Sequence, residues 1–181
     1  MMIKKLFKKI AKQSKLIFFF LFISFAMIKF IGCCTYSFTG ASVPEHLNNI
    51  AIPIAEDRSG AGVPGLRELL TEGIINKFIE DNSLQVAERT KADAILESVI
   101  VSFSDAPSIV SAGENISSRR VTITVKVIYK DLVERKTIFD QNFSNYGDYE
   151  PADIENKREQ AIEIALDKIS EDILLAVVSG W

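Results

Sequence analysis

The sequence predicts an α+β domain of order β-α-β-β-β-β-α, a mixed sheet with two helices packed on one face, behind a basic and apolar leader. Three observations carry this. Residues 121–130 alternate without a break, Val121, Ile123, Val125, Val127 and Tyr129 against Thr122, Thr124, Lys126, Ile128 and Lys130. That two-residue period is the mark of a strand with one buried face. Between Ala152 and Val177, the residues Ile162, Ala165, Ile169, Ile173 and Ala176 recur at helical spacing. Charge is also partitioned. Seven lysines (Lys4, Lys5, Lys8, Lys9, Lys12, Lys15, Lys29) and no acid lie in residues 1–33, which leaves 14 of the 21 basic residues against all 24 acids beyond.

The leader has the layout of an export signal. Lys4 to Lys15 form a positive segment, and Leu16 to Ile28 (LIFFFLFISFAMI) an apolar core of thirteen residues, shorter than the roughly 20 that span a bilayer. Phe30-Ile31-Gly32-Cys33 follows, a small residue directly before a cysteine. This resembles the lipobox of bacterial lipoproteins, which implies cleavage before Cys33 and acylation of its thiol, palmitate included. Two or three acyl chains make a firm anchor at about 0.8 kcal/mol per buried methylene. An uncleaved signal anchor, with Lys29 near its end, is the alternative. The expected organisation is a signal over 1–32, a lipidated tether over 33–48, and one domain over 49–181. Both cysteines, Cys33 and Cys34, are adjacent, which excludes a disulfide framework and a cysteine metal site in the folded part. The acidic domain argues against nucleic acid as a partner, since a phosphate-backbone binder needs a basic surface.

In chain order, Ile50 to Ala55 (IAIPIA) is a short strand, with Pro53 marking an edge or strand end. Glu56 to Pro64 reads as a polar loop. Leu66, Leu69, Leu70, Ile74, Lys77 and Phe78 give a helix over Pro64 to Glu80, with Pro near its start. Leu84 to Ala87 and Ala94 to Ser104 are strands, Val121 to Tyr129 the clearest one, and Thr137 to Asn145 the last, with Phe139 and Phe143 on one face. A long helix of about 39 Å closes the chain, and both helices belong on one side of the sheet.

Catalytic chemistry finds no foothold. Gly60-Ala61-Gly62-Val63-Pro64-Gly65 matches G-x-G-x-x-G, but a dinucleotide fold needs the first glycine at the strand end. Here Glu56, Asp57, Arg58 and Ser59 intervene, and the two acids repel phosphate. His46 is the single histidine, beside Glu45 in the tether, and reads as a solvated surface residue. With one histidine, in the tether, and no cysteine in the domain, a Cys/His pair or a histidine-based triad has nothing to stand on. Glu56-Asp57 and Glu171-Asp172 read as loop and helix-face charges. No catalytic residue, metal site or cofactor is expected.

Two features are candidates for binding. Arg119-Arg120 enters the strongest strand, and Lys126 and Lys130 share a face with Arg120. Guanidinium groups suit bidentate contact with phosphate or carboxylate, although charges that discourage sheet-to-sheet pairing are the simpler reading. Ser104 to Ser118 (SDAPSIVSAGENISS) reads as a fifteen-residue connection without apolar periodicity, a length usual for functional loops or disordered segments. Its Ile109-Val110 pair is either a contact point at the tip or minor core.

The segment Tyr36-Ser37-Phe38-Thr39-Gly40-Ala41-Ser42-Val43-Pro44 resembles the start of LptE-type lipopolysaccharide-assembly lipoproteins. The resemblance continues through Ile52-Pro53, Leu69-Leu70-Thr71-Glu72, Ala92-Asp93-Ala94 and the strand from Arg120 to Val127, and closes with Phe143-Ser144-Asn145-Tyr146 and Trp181. It covers nearly the whole chain after the leader. What it implies is an outer-membrane, periplasm-facing lipoprotein that plugs an LptD-type β-barrel and helps deliver lipopolysaccharide to the outer leaflet, without a cofactor. Arg119, Arg120 and Lys126 are lipopolysaccharide or partner contacts on charge alone, Ile109 and Val110 on position. The alternative is another periplasm-facing adaptor, a secretin pilot or an activator of wall synthesis.

Overall fold

A computed structural model describes residues 43–110, 116–150 and 154–179. The leader and Cys33 lie outside the described residues. Eight elements follow in order: β1 (Asn49–Ala51), β2 (Glu56–Asp57), α1 (Leu66–Asp81), β3 (Gln85–Val86), β4 (Ala94–Val110), β5 (Ile116–Asp131), β6 (Lys136–Tyr149) and α2 (Ile154–Ser179). They build one mixed sheet in the order β3-β1-β4-β5-β6, with β2 beside β4. β1 runs parallel to β3 and β4, whereas β4, β5 and β6 form an antiparallel meander. The two helices lie on one face of the sheet, as the apolar pattern predicts.

Several expectations need correction, among them the first strand, which ends at Ala51 and not at Ala55. Glu56–Asp57 was expected in a loop but pairs in parallel with Val99 and Ile100; two residues are too few to show a period. Leu69, placed on the buried stripe of α1, is 37% exposed, while Leu66, Leu70, Ile74 and Phe78 are buried. The largest correction concerns residues 104–118. β4 runs on to Val110 and β5 begins at Ile116, with Asp105 opposite Val121, Ala106 opposite Arg120 and Pro107 opposite Arg119. Backbone pairing holds 104–110 and 116–118, and the side chains of 104–108 lie outside the core, so they carry no apolar alternation to read.

The core lies between the sheet and the helices. Val121, Ile123, Val125 and Val127 on β5 are fully buried, facing Ala165, Ile169 and Ile173 of α2 and Leu70, Ile74 and Phe78 of α1. Gly147 permits the close seating of α2 on β6: a Cβ there would stand 2.1 Å from the Ala161 carbonyl oxygen. The G-x-G-x-x-G stretch serves the chain path. Gly60, Gly62 and Gly65 all take positive φ, which glycine adopts at least cost.

A bulge in β4 decides which side chains face the helices beyond it. Ile100 pairs with Val125 and Ser102 with Thr124, so Val101 is the extra residue. Even-numbered residues (Leu96, Ser98, Ile100) face the core before it, and odd-numbered ones (Phe103, Asp105) share the helix side after it.

Packing begins within residues assigned to the tether. Leu47 is 3% exposed and belongs to the core. His46, expected in solvent, hydrogen-bonds through Nε2 to Oδ2 of the buried Asp131 at 2.7 Å. The other carboxylate oxygen of Asp131 accepts the N–H groups of Val133 and Glu134, each at 2.8 Å. Burial opposes ionisation of Asp131, but the bond from His46 and these two N–H groups outweigh it and hold its carboxyl below the ordinary range. A carboxylate oxygen of Glu134 also lies within 4.8 Å of this pair; capping the β5–β6 turn accounts for the arrangement.

Candidate functional site

The far end of the β4–β5–β6 meander, where α2 begins, gathers charge on both faces. On the helix side, Asp105 is a hub. Arg119 donates from Nε to Oδ1 at 2.9 Å, and Arg158 of α2 donates from Nε to Oδ2 at 2.9 Å. The Tyr149 hydroxyl reaches both oxygens, at 3.0 and 2.9 Å. Arg119 Nη2 also donates to the backbone carbonyl of Asp105 at 3.1 Å. Burial works against the Asp105 charge, yet the hydrogen bonds from Arg158, Tyr149 and Arg119 together keep its carboxyl below the ordinary range. Two arginines on one carboxylate tie three strands and a helix into one unit.

Arg120 points to the opposite, helix-free face. Its Nε and Nη2 donate to the two oxygens of Asp148 at 2.7 and 2.8 Å, a fork-on-fork pair. The guanidinium carbon sits 3.7 Å above the Tyr146 ring, within cation–π range. The bond from Arg120 is the main reason that the Asp148 carboxyl lies below the ordinary range. Beside this pair a pocket of about 320 Å³ is lined by Ser104, Ala106, Pro107, Ser108, Ser118, Arg120, Thr122 and Asp148. A neighbouring pocket of about 350 Å³ shares Ser118 and Asp148 and reaches Tyr149, Lys157 and Ile164.

Pairing across the meander extends this face as hydroxyl rows: Ser104, Thr122 and Tyr146 in one, Ser102, Thr124 and Ser144 in the next. The Thr124 and Ser144 hydroxyls lie 3.0 Å apart. Further along, Lys126 pairs with Asp140 at 3.1 Å and Lys130 with Glu97 at 2.6 Å.

Of the residues singled out from the sequence, Arg119 and Arg120 therefore lie at one end of the meander on opposite faces. Lys126 is six residues further along β5, about 20 Å away at strand rise. It lines a different groove of about 450 Å³ with Ile54, Val101, Ile128, Arg58 and Arg89. Ile109 and Val110 end β4, paired with Ser118 and Ile116, and their side chains lie outside the described residues. Sequence reasoning missed Asp105, Asp148, Tyr149 and Arg158. Each looks like an ordinary surface residue until strand register brings it to its partner.

The family model described as LptE, lipopolysaccharide-assembly, matches residues 47–177. The chain belongs to the LptE family. The matched stretch starts at Leu47 and ends at Val177, the first and last buried apolar residues described. Solved structures share the LptE-like fold at low identity. A protein from Xanthomonas campestris is 12% identical with a TM-score of 0.59, over 77% of this chain and 88% of that one. A hypothetical protein from Chlamydia trachomatis is 10% identical with a TM-score of 0.56, over 72% and 95%. The rare lipoprotein B from Shewanella oneidensis is 12% identical with a TM-score of 0.50, over 71% and 92%. No curated protein sequence matches the chain. Among the described residues, no helix is long and apolar enough to cross a membrane.

Proposed function

We propose that this LptE-family protein is an outer-membrane lipoprotein, anchored through Cys33, that seats in the lumen of an LptD-type β-barrel and takes part in lipopolysaccharide transport to the outer leaflet. The observation that carries the reading is the helix-free face of the meander. Its Ser and Thr rows and its paired charges present a polar surface already compensated within the protein. A wet barrel lumen accepts such a surface without stranding a buried charge, which would be expensive. Leader and lipobox supply export and tether. Arg119, Arg120, Lys126, Ile109 and Val110 are the contact candidates, and the end carrying Arg119 and Arg120 is the one that meets barrel or lipid.

The test is affinity purification of the full-length protein from detergent-solubilised outer membrane. A stoichiometric large β-barrel partner is expected, while recovery of a secretin ring or a wall synthase instead would overturn the reading. In the same preparation Cys33→Ser should accumulate as an unprocessed precursor, and Cys34→Ser should mature normally.

A further inference from the structure

The two arginines at the far end of the meander invite an assignment to phosphate, yet the geometry around Arg120 is poorly suited to an anion. The side-on edge of the guanidinium, Nε and Nη2, is already engaged by Asp148, at 2.7 and 2.8 Å, which leaves the Nη1 edge beside that carboxylate, and the Tyr146 ring covers the plane of the group at 3.7 Å. A phosphate would have to displace Asp148 or sit beside it. Either course sets two negative charges within a few ångströms of one another, and like charges that close are repulsive even where solvent screens them. Among the described residues, the remaining lining of the pocket is Ser104, Ala106, Pro107, Ser108, Ser118 and Thr122, which adds hydroxyls and no charge.

A ligand matched to this lining must both donate and accept. Each hydroxyl of a sugar does so: it can donate to a carboxylate oxygen, which has capacity for more than one donor, and accept from a guanidinium N–H not used in the ion pair or from a serine or threonine hydroxyl. The pocket volume of about 320 Å³ is in the range of small-ligand sites, and its shared wall at Ser118 and Asp148 leads into the second pocket of about 350 Å³. The two together offer room for more than one sugar unit around the end of β6.

We infer that the pocket at Ser104, Arg120, Thr122 and Asp148 binds the uncharged sugar hydroxyls of a glycolipid headgroup and not its phosphates. The inference rests on the lipopolysaccharide-assembly reading above and says which part of that ligand meets this face.

Ligand-observed saturation-transfer NMR on the full-length protein in detergent tests it, with two probes: a lipid-free, dephosphorylated core oligosaccharide, and inorganic phosphate followed by ³¹P line width. Wild type should transfer saturation to the oligosaccharide, with affinity nearly the same at low and high salt, and should leave the phosphate line sharp. Asp148→Asn removes the carboxylate acceptor and frees the guanidinium. It should weaken the oligosaccharide by about tenfold or more, as expected for losing a charge-assisted hydrogen bond, and should broaden the phosphate line. Thr122→Val, which touches no ion pair, should weaken the oligosaccharide without any gain of phosphate, so the result does not depend on one variant. Phosphate broadening in wild type, a steep loss of oligosaccharide affinity with salt, or no saturation transfer to the oligosaccharide would each overturn the inference. Recovery of the β-barrel with these same proteins is scored separately, so a failed sugar site is distinguishable from a failed transport reading.

Discussion

The two ends of the β4–β5–β6 meander are held by different chemistry. At the base, where β1, β3 and α1 join, Ile50, Ile74, Phe78, Leu84, Leu96 and Tyr129 are each 2% exposed or less. Most of the stability there comes from apolar area removed from water, which is non-directional, beside the capping bonds that Asp131 and Asp93 accept from backbone N–H groups. At the far end Asp105, Arg119, Tyr149 and Arg158 form one bonded cluster and Arg120 pairs with Asp148. Bonds of that kind depend on orientation, and a partner's hydroxyls or carboxylates can exchange with them. The contrast separates a base that maintains the fold from an end that can meet a ligand.

The steepest way to break the comparison is to open the dry layer. Ile169 is fully buried on α2, so Ile169→Ala should cost about 2–5 kcal/mol in urea unfolding. A cost near zero would mean that α2 does not close the core. Gly147→Ala should follow at about 3 kcal/mol, the upper range for overpacking, because the added carbon meets the backbone carbonyl of Ala161.

Asp105→Asn tests the other end. Removing the charge shared by Arg119 and Arg158 should cost about 1.5–3 kcal/mol, the range for hydrogen bonds to a charged group. Wild type should show the same contribution as a function of pH. The folded Asp105 carboxyl is held below its ordinary value of 3.8, so its contribution is complete above that value and disappears as the pH falls through the lower folded one. The stability gap between wild type and Asp105→Asn should therefore be full at pH 7 and close at strongly acid pH. A variant with unchanged stability at neutral pH would reduce the cluster to a surface ornament.

The smallest expected effect has the opposite sign. Among the described residues, the buried hydroxyls of Tyr129 and Ser98 have no hydrogen-bond partner, and burial, with the charge of Asp131, pushes the Tyr129 hydroxyl up to about 12. Tyr129→Phe removes an unsatisfied polar atom while keeping the ring against Phe139, 5.5 Å away between centroids. It should be neutral or stabilising by about 1 kcal/mol, whereas removal of a polar group at the far end destabilises. Equal losses at the two sites would erase the distinction drawn between them.

Legibility followed the same division. β5 and the stripe of α2 could be read in the sequence because one face of each is continuously buried, and burial leaves a period of two or of 3.6 residues in the order of apolar side chains. The order of elements came from that same pattern, β2 excepted, whereas the family resemblance rested on short motifs such as Tyr36-Ser37-Phe38. The far half of β4 could not be read, because its two faces meet solvent and an ionic cluster, and neither selects apolar residues.

The charged end was decided only when the chain folded. Asp105 meets Arg119 across 14 residues, Tyr149 across 44 and Arg158 across 53, and nothing in the neighbourhood of any of them marks the others. A one-residue bulge at Val101 sets which face Asp105 occupies. Strand register has a period of two, so a shift by a single residue would have sent Asp105 to the helix-free face and left both arginines of the hub without it. Local pattern determines where a chain is buried; which charges become partners is a property of register, and register is settled by the packing of the whole sheet.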